Sequence, residues 1–185
     1  MGVCACSDER KLTNYSKFIY FTYGFIPTYQ KTLFKVDRMT LECTKVVDNR
    51  LNFLISCSGF NFENLLTVQV GKDLYGYQHI GSPIRLVLFS GLANGQYAMI
   101  KKAAPSIQRE FPSSPLNYRE CKLIITGGRS PAGDREYKSV DMYDIAKNTW
   151  TSGPEMNVTR IMHNTCQLGD SVYAFGGIKN ANMEL

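Results

Sequence analysis

The sequence predicts an all-β fold of short antiparallel strands, and three observations carry that expectation. Aromatic side chains make up 12% of the 185 residues, with 11 Tyr and 10 Phe beside 15 Gly, a pairing that suits strands punctuated by tight turns. No long amphipathic stretch of helical period separates the apolar runs. Self-similarity recurs at an interval of 49 residues, the mark of a stacked repeat whose single copies cannot bury their own apolar faces.

The interval is clearest between Gln167–Ile178 (QLGDSVYAFGGI) and Gln69–Ile80 (QVGKDLYGYQHI), which align without a gap 98 residues apart. The missing middle copy should carry its glycine pair at 127 and 128, and Lys122-Leu-Ile-Ile-Thr-Gly127-Gly128 stands there. The second half of the unit is an alternating strand, a polar turn and a large residue. Ser139–Asp144, Ile145–Asn148 and Thr149-Trp150 are its best copy. An N-terminal echo runs Thr32–Asp37, Arg38–Glu42, then Cys43 in the place of Trp150. A third copy, Arg85–Phe89, Ser90–Gln96 and Tyr97, holds one extra residue in its turn.

These copies divide the chain into a flexible tail at 1–15 and a repeat segment at 16–185. Within the segment the expected units are about 18–46, 51–102 and 104–157, followed by a half unit at 158–185. Each complete unit holds four short strands, and a four-stranded sheet without covering helices has two faces to hide. Radial stacking of such sheets gives a partial β-propeller. Leu123–Ile125 and Val172–Phe175 are continuous apolar runs, as expected of strands covered on both sides. The glycine pairs end those strands, where a positive φ and the lack of a Cβ let a neighbouring unit approach. Trp150 is expected between sheets, with its indole N–H seeking an acceptor.

Gly127, Gly128, Tyr143, Trp150, Met156, Arg160, His163, Tyr173, Phe175, Gly176 and Gly177 together resemble the kelch repeat across 122–178. The earlier copies depart from its pattern: Gln78-His79 replaces the double glycine, and Cys43 and Tyr97 replace the tryptophan. The resemblance implies a kelch-type propeller of four-stranded blades, about three and a half of them here. Three explanations stand for that number: a fragment of a longer propeller, a small closed ring, or self-association that covers open blade faces.

The net charge of +5 comes from 21 basic and 16 acidic residues, scattered without a basic run, so no nucleic-acid partner is expected. The six cysteines form neither a C-x-x-C pair nor a zinc-type spacing. They read as reduced thiols, with a cytoplasmic location. No hydrolase, phosphate-loop or zinc-protease motif is present. No catalytic residue, metal or cofactor is therefore assigned. Met1-Gly2-Val-Cys4-Ala-Cys6-Ser7 resembles an acylation signal, with Gly2 for myristate and Cys4 or Cys6 for palmitate, which implies peripheral attachment to the cytoplasmic face of a membrane. Cys6 stands where the usual signal has Ser or Thr, and the alternative is a tail with incidental cysteines.

An unidentified protein is the expected partner. The expected contacts are Arg129, Asp134, Arg135, Glu136 and Lys138, in a long charged loop, and Arg160 at the next unit junction. The resemblance implies that these two connections open on one face; a solvated hairpin loop is the plainer alternative. The function expected is a non-enzymatic interaction scaffold. The resemblance also allows a substrate-recognition part of a ubiquitin ligase, or a fragment of a galactose-oxidase-like propeller enzyme, for which His and Tyr ligands would have to cluster.

Overall fold

The computed structural model describes residues 17–24, 31–46, 65–80, 84–92, 94–119 and 121–179. The acylation signal with Gly2, Cys4 and Cys6 lies outside the described residues. The described strands are β1 (Phe18–Gly24), β2 (Lys31–Asp37), β3 (Cys43–Lys45), β4 (Leu65–Val70), β5 (Asp73–Gln78), β6 (Arg85–Ser90) and β7 (Ala98–Lys101). They continue with β8 (Leu116–Tyr118), β9 (Lys122–Thr126), β10 (Val140–Asp144), β11 (Thr149–Ser152), β12 (Asn164–Leu168) and β13 (Ser171–Phe175).

All pairing is antiparallel between strands consecutive in the chain, giving four meander sheets: β1-β2-β3, β4-β5-β6-β7, β8-β9-β10-β11 and β12-β13. The 49-residue interval is a structural period. Strands β5, β9 and β13 begin at Asp73, Lys122 and Ser171, and each is the second strand of its sheet. The first sheet corresponds to the last three strands of the second, and it has three described strands where the repeat predicts four. Its turn and its cross-strand pair follow the later copies: Val36 faces Cys43 as Tyr143 faces Trp150.

The sheets stack around an axis. Strand β4 touches β8 and β8 touches β12, so the leading strands of the last three sheets run side by side while their later strands extend away, as in a propeller, and β1 packs against β4. One core joins Tyr20 and Leu33 of the first sheet to Leu65, Leu74, Val87 and Phe89 of the second. Another joins Tyr75, Tyr77, Leu86 and Leu88 of the second to Leu123, Ile125 and Tyr143 of the third.

On the side of β1 away from β2, a side chain of the second sheet bonds to the backbone. Tyr20 N–H donates to Gln69 Oε1 at 2.8 Å, and Gln69 Nε2 donates to the carbonyls of Phe18 at 3.0 Å and Gly71 at 2.8 Å. The amide of one glutamine thereby serves backbone groups of two sheets, as donor and as acceptor.

The expectation of a doubly covered strand holds for Leu123–Ile125, which are buried, but not for Val172–Phe175. Tyr173 and Phe175 are 51% and 52% exposed, because β13 is the last described strand and no further described sheet packs on that side. On its other side a groove of about 540 Å³, lined by Ile124, Val140, Met142, Val172 and Ala174, separates the third sheet from β12-β13.

Candidate partner-binding face

The charged loop after β9 begins at two glycines that no other residue could replace without strain. Gly127 has φ of +63°, and a Cβ there would lie 2.4 Å from the Arg160 carbonyl oxygen; Gly128 has φ of +91°, with Glu110 O at 2.7 Å. Both φ values lie in the left-handed region. The close approach is used for bonding, since Gly128 N–H donates to Arg160 O at 2.8 Å and Gly127 N–H to Ser139 O at 3.0 Å.

Beyond the glycines the loop is an ordered hairpin. Arg129 exchanges backbone hydrogen bonds with Glu110, Ser130 N–H donates to Arg135 O at 2.7 Å, and Tyr137 N–H returns to Gly128 O at 2.8 Å. The Ser130 hydroxyl donates to the Asp134 carboxylate. Residues 131–135 form the exposed tip, and Arg135 lays its guanidinium over the Tyr137 ring at 5.5 Å. Lys138 pairs with Glu155 at 2.7 Å, and Arg129 stacks on Phe111 at 4.9 Å.

The connection from β11 to β12 meets this loop. The Thr159 hydroxyl donates to Glu136 Oε2 at 3.1 Å, and Met156 N–H donates to Lys138 O at 2.8 Å. Arg160 turns toward the last sheet, where Nη1 donates to Gly176 O at 2.7 Å. Asp134, Arg135, Glu136 and Lys138 thus share one surface with Thr159. Arg129 and Arg160 serve chiefly as braces at its base. A cleft of about 700 Å³ opens beside it, between Ser106–Gln108, Arg135–Val140 and Ser152–Gly153.

Beneath the face lies a buried ion pair. Arg109, with a fully buried side chain, binds Asp141 Oδ2 at 2.8 Å, Gly127 O at 2.9 Å and the carbonyl and hydroxyl of Ser139, both at 3.1 Å. Burial raises the pKa of the Asp141 carboxyl while the Arg109 cation opposes the rise. This guanidinium ties the linker between the second and third sheets to the glycine turn and to β10. His163 forms a second buried junction: its Nε2 meets Thr126 Oγ1 at 2.6 Å, and Thr126 Oγ1 lies 3.1 Å from Ser113 Oγ. Burial, assisted by the Arg160 charge, lowers its pKa to about 4.

Comparison with known proteins agrees with this geometry. The kelch motif family model matches residues 120–157, which span β9 to β11 and the glycine turn. Residues 120–157 thus carry a kelch motif, and the chain is similar to kelch-repeat proteins. Mouse Kelch-like protein 8 is 34% identical over 76 residues, 41% of this chain and 12% of that protein. Human Kelch-like protein 25 is 31% identical over 77 residues, 42% of this chain and 12% of that protein. The matched stretch therefore covers about an eighth of these relatives' length. Among solved structures, that of YjhT superposes with a TM-score of 0.52 over 63% of this chain and 34% of that one, at 17% identity. This likeness shows the fold alone, a kelch β-propeller.

Of the kelch positions read from the sequence, Gly127, Tyr143, Trp150, Met156 and Gly177 pack at sheet junctions, while Tyr173 and Phe175 are exposed. Tyr143 is fully buried, 5.1 Å from the ring of Trp150. Trp150 Nε1 donates to Ala103 O at 2.8 Å, the acceptor expected between sheets. Met156 lies 3.1 Å from the position a Cβ on Gly127 would take, and Gly177 packs against Ile161 and His163, as Gly127 packs against Arg160 and His163. Arg109, Ser113, Thr126 and Asp141 were not singled out by sequence reasoning. Arg109 sits in a polar linker outside the repeated strands, and nothing in the pattern marks it as buried.

Proposed function

We propose that this chain is a protein-interaction module that presents the loop at 129–138 and the connection at 153–160 to a protein partner. The observation that carries the reading is the hydrogen bond from Thr159 to Glu136, which joins the two connections into one preorganised surface. A surface already ordered before binding loses less conformational entropy on association. The exposed tip at 131–135 and the stacked pair Arg135–Tyr137 supply residue types enriched at interaction hot spots. The resemblance to Kelch-like proteins 8 and 25 supports an adaptor over an enzyme, and a substrate-recognition role in a ubiquitin ligase is the narrower form of the same reading.

Affinity capture from cell extract with the intact chain and with Arg135→Ala tests the reading. Arg135 makes no ion pair among the described residues, so its removal should spare the fold while reducing partner recovery about tenfold or more. Equal recovery by both proteins, with unchanged circular dichroism, would remove this face from consideration. Arg160→Ala is the less clean variant because it also deletes the bond to Gly176.

A further inference from the structure

The second strand of each four-stranded sheet is hydrogen-bonded on both sides: β5 lies between β4 and β6, and β9 between β8 and β10. Strand β13 holds the same place in the repeat, 49 residues after β9, yet among the described residues it pairs with β12 alone. Its other edge is a row of backbone donors and acceptors open to a further strand. In the third sheet Gly127 N–H donates to Ser139 O on the β10 side, whereas the Thr126 N–H and carbonyl bond to Ser113 on the β8 side. Backbone groups alternate in direction along an antiparallel strand. At the 49-residue step, Val172, Ala174 and Gly176 therefore present their N–H and C=O groups to the unpaired edge.

A guanidinium stands at the end of that edge with its donors only partly used. Arg109 and Arg160 are equivalent in the repeat. The residue after each forms an isolated bridge, Glu110 with Arg129 and Ile161 with Ile178, and the next residues, Phe111 and Met162, have positive φ of 49° and 53°. Arg109 Nη1 donates to Gly127 O at 2.9 Å, and Arg160 Nη1 donates to Gly176 O at 2.7 Å. Arg109 also binds the Ser139 carbonyl and hydroxyl and the Asp141 carboxylate, which come from β10 and the residue before it. Arg160 has no acceptor but Gly176 among the described residues. It lines the groove of about 540 Å³ together with Ile124, Val140, Met142, Val172 and Ala174.

What these groups select follows from the third sheet. There Asp141 stands opposite Ile125 and Tyr143 opposite Leu123, and the matching positions on β13 are Ala174 and Val172. An acidic side chain opposite Ala174 meets the unused donors of Arg160 in a charge-assisted bond. A large apolar side chain opposite Val172 enters the groove beside Val140 and Met142. We propose that the unpaired edge of β13 is a docking site for an extended segment of a partner protein, added as an antiparallel strand with an acidic residue opposite Ala174 and an aromatic one opposite Val172. Main-chain hydrogen bonds hold the segment, while Arg160 and the groove choose its side chains. The site does not depend on what the 129–138 loop binds.

The probe is a fluorescein-labelled peptide with capped ends that copies residues 138–145, Lys-Ser-Val-Asp-Met-Tyr-Asp-Ile, the strand that fills the equivalent place in the third sheet. Fluorescence anisotropy with the full chain should show saturable binding. Within the peptide, Asp141→Asn should weaken binding about tenfold, and Tyr143→Ser about tenfold as well. These substitutions leave the protein's fold untouched. In the protein, Ala174→Pro removes an edge N–H that β12 does not use and should abolish binding while the circular dichroism stays that of the parent. Arg135→Ala should bind the peptide as the parent does, which separates this site from the loop. No saturable binding by the parent, equal affinity for the Asp141→Asn peptide, or undiminished binding by Ala174→Pro would each overturn the proposal.

Discussion

Trp150 and Ala103 hold two sheets at a fixed separation through a hydrogen bond from the indole N–H to the Ala103 carbonyl at 2.8 Å. The bond is part of a reciprocal clasp, because Ala103 N–H donates back to Asn148 Oδ1 at 3.0 Å and Asn148 also accepts from the Tyr143 hydroxyl at 2.7 Å. Trp150→Phe keeps most of the packing and loses one hydrogen bond, so urea unfolding should show a loss of about 1 kcal/mol. Trp150→Ala removes the half-buried ring as well and should cost about 3 kcal/mol. Equal losses for the two variants would mean that the ring contributes no packing.

Arg109→Ala strands Asp141 in a buried site. Removing one partner of a buried pair costs about 3–5 kcal/mol, whereas replacing both with apolar groups is often neutral. The double variant Arg109→Met, Asp141→Leu should therefore be more stable in chemical denaturation than Arg109→Ala. The reverse order would show that the guanidinium's bonds to Gly127 and Ser139 outweigh its pairing with the carboxylate.

The glycines make a matched comparison. Gly133 has φ of +76° with open space where a Cβ would sit, while Gly127 has a similar φ and the Arg160 carbonyl 2.4 Å away. Gly133→Ala should cost about 1–2 kcal/mol from backbone strain alone. Gly127→Ala adds overpacking of about 1–3 kcal/mol and should lower the melting temperature further. Equal shifts would show that the sheet junction yields without cost.

His163 gives the fold a pH dependence of defined sign. Its folded pKa is lowered from 6.5 to about 4, so the folded state binds fewer protons than the unfolded chain between these values. Its contribution is fully present above pH 6.5 and is lost as pH falls through that window. Thermal melts from pH 7 to pH 4 should therefore show falling stability. His163→Gln, which stays neutral, should flatten the slope, and an unchanged slope would assign the effect to other groups.

The fold was legible where the repeat is strict. The 49-residue step located β5, β9 and β13 because each needs the same apolar strand ending at a junction where the next unit crowds in. The turn at Arg38–Glu42 was found from its similarity to Ile145–Asn148. The exposure of Tyr173 and Phe175 was not legible, because a covered strand and an uncovered one carry the same apolar residues. The partner loop was visible as a run of charge, but its bond to Thr159 depends on two segments meeting in space. Arg109 was invisible for a different reason: burial of a guanidinium depends on four acceptors brought together from Gly127, Ser139 and Asp141, and no local spacing encodes them.

Gln69 has a consequence for how the molecule behaves in a crowded solution. A peptide unit seeking to zip onto β1 finds the Tyr20 donor and the Phe18 acceptor already engaged by a primary amide with the same bonding groups as the backbone itself. Exchange of that amide for a carboxylate, as in Gln69→Glu, would keep the acceptor for the Tyr20 N–H while removing the donor to the Phe18 and Gly71 carbonyls.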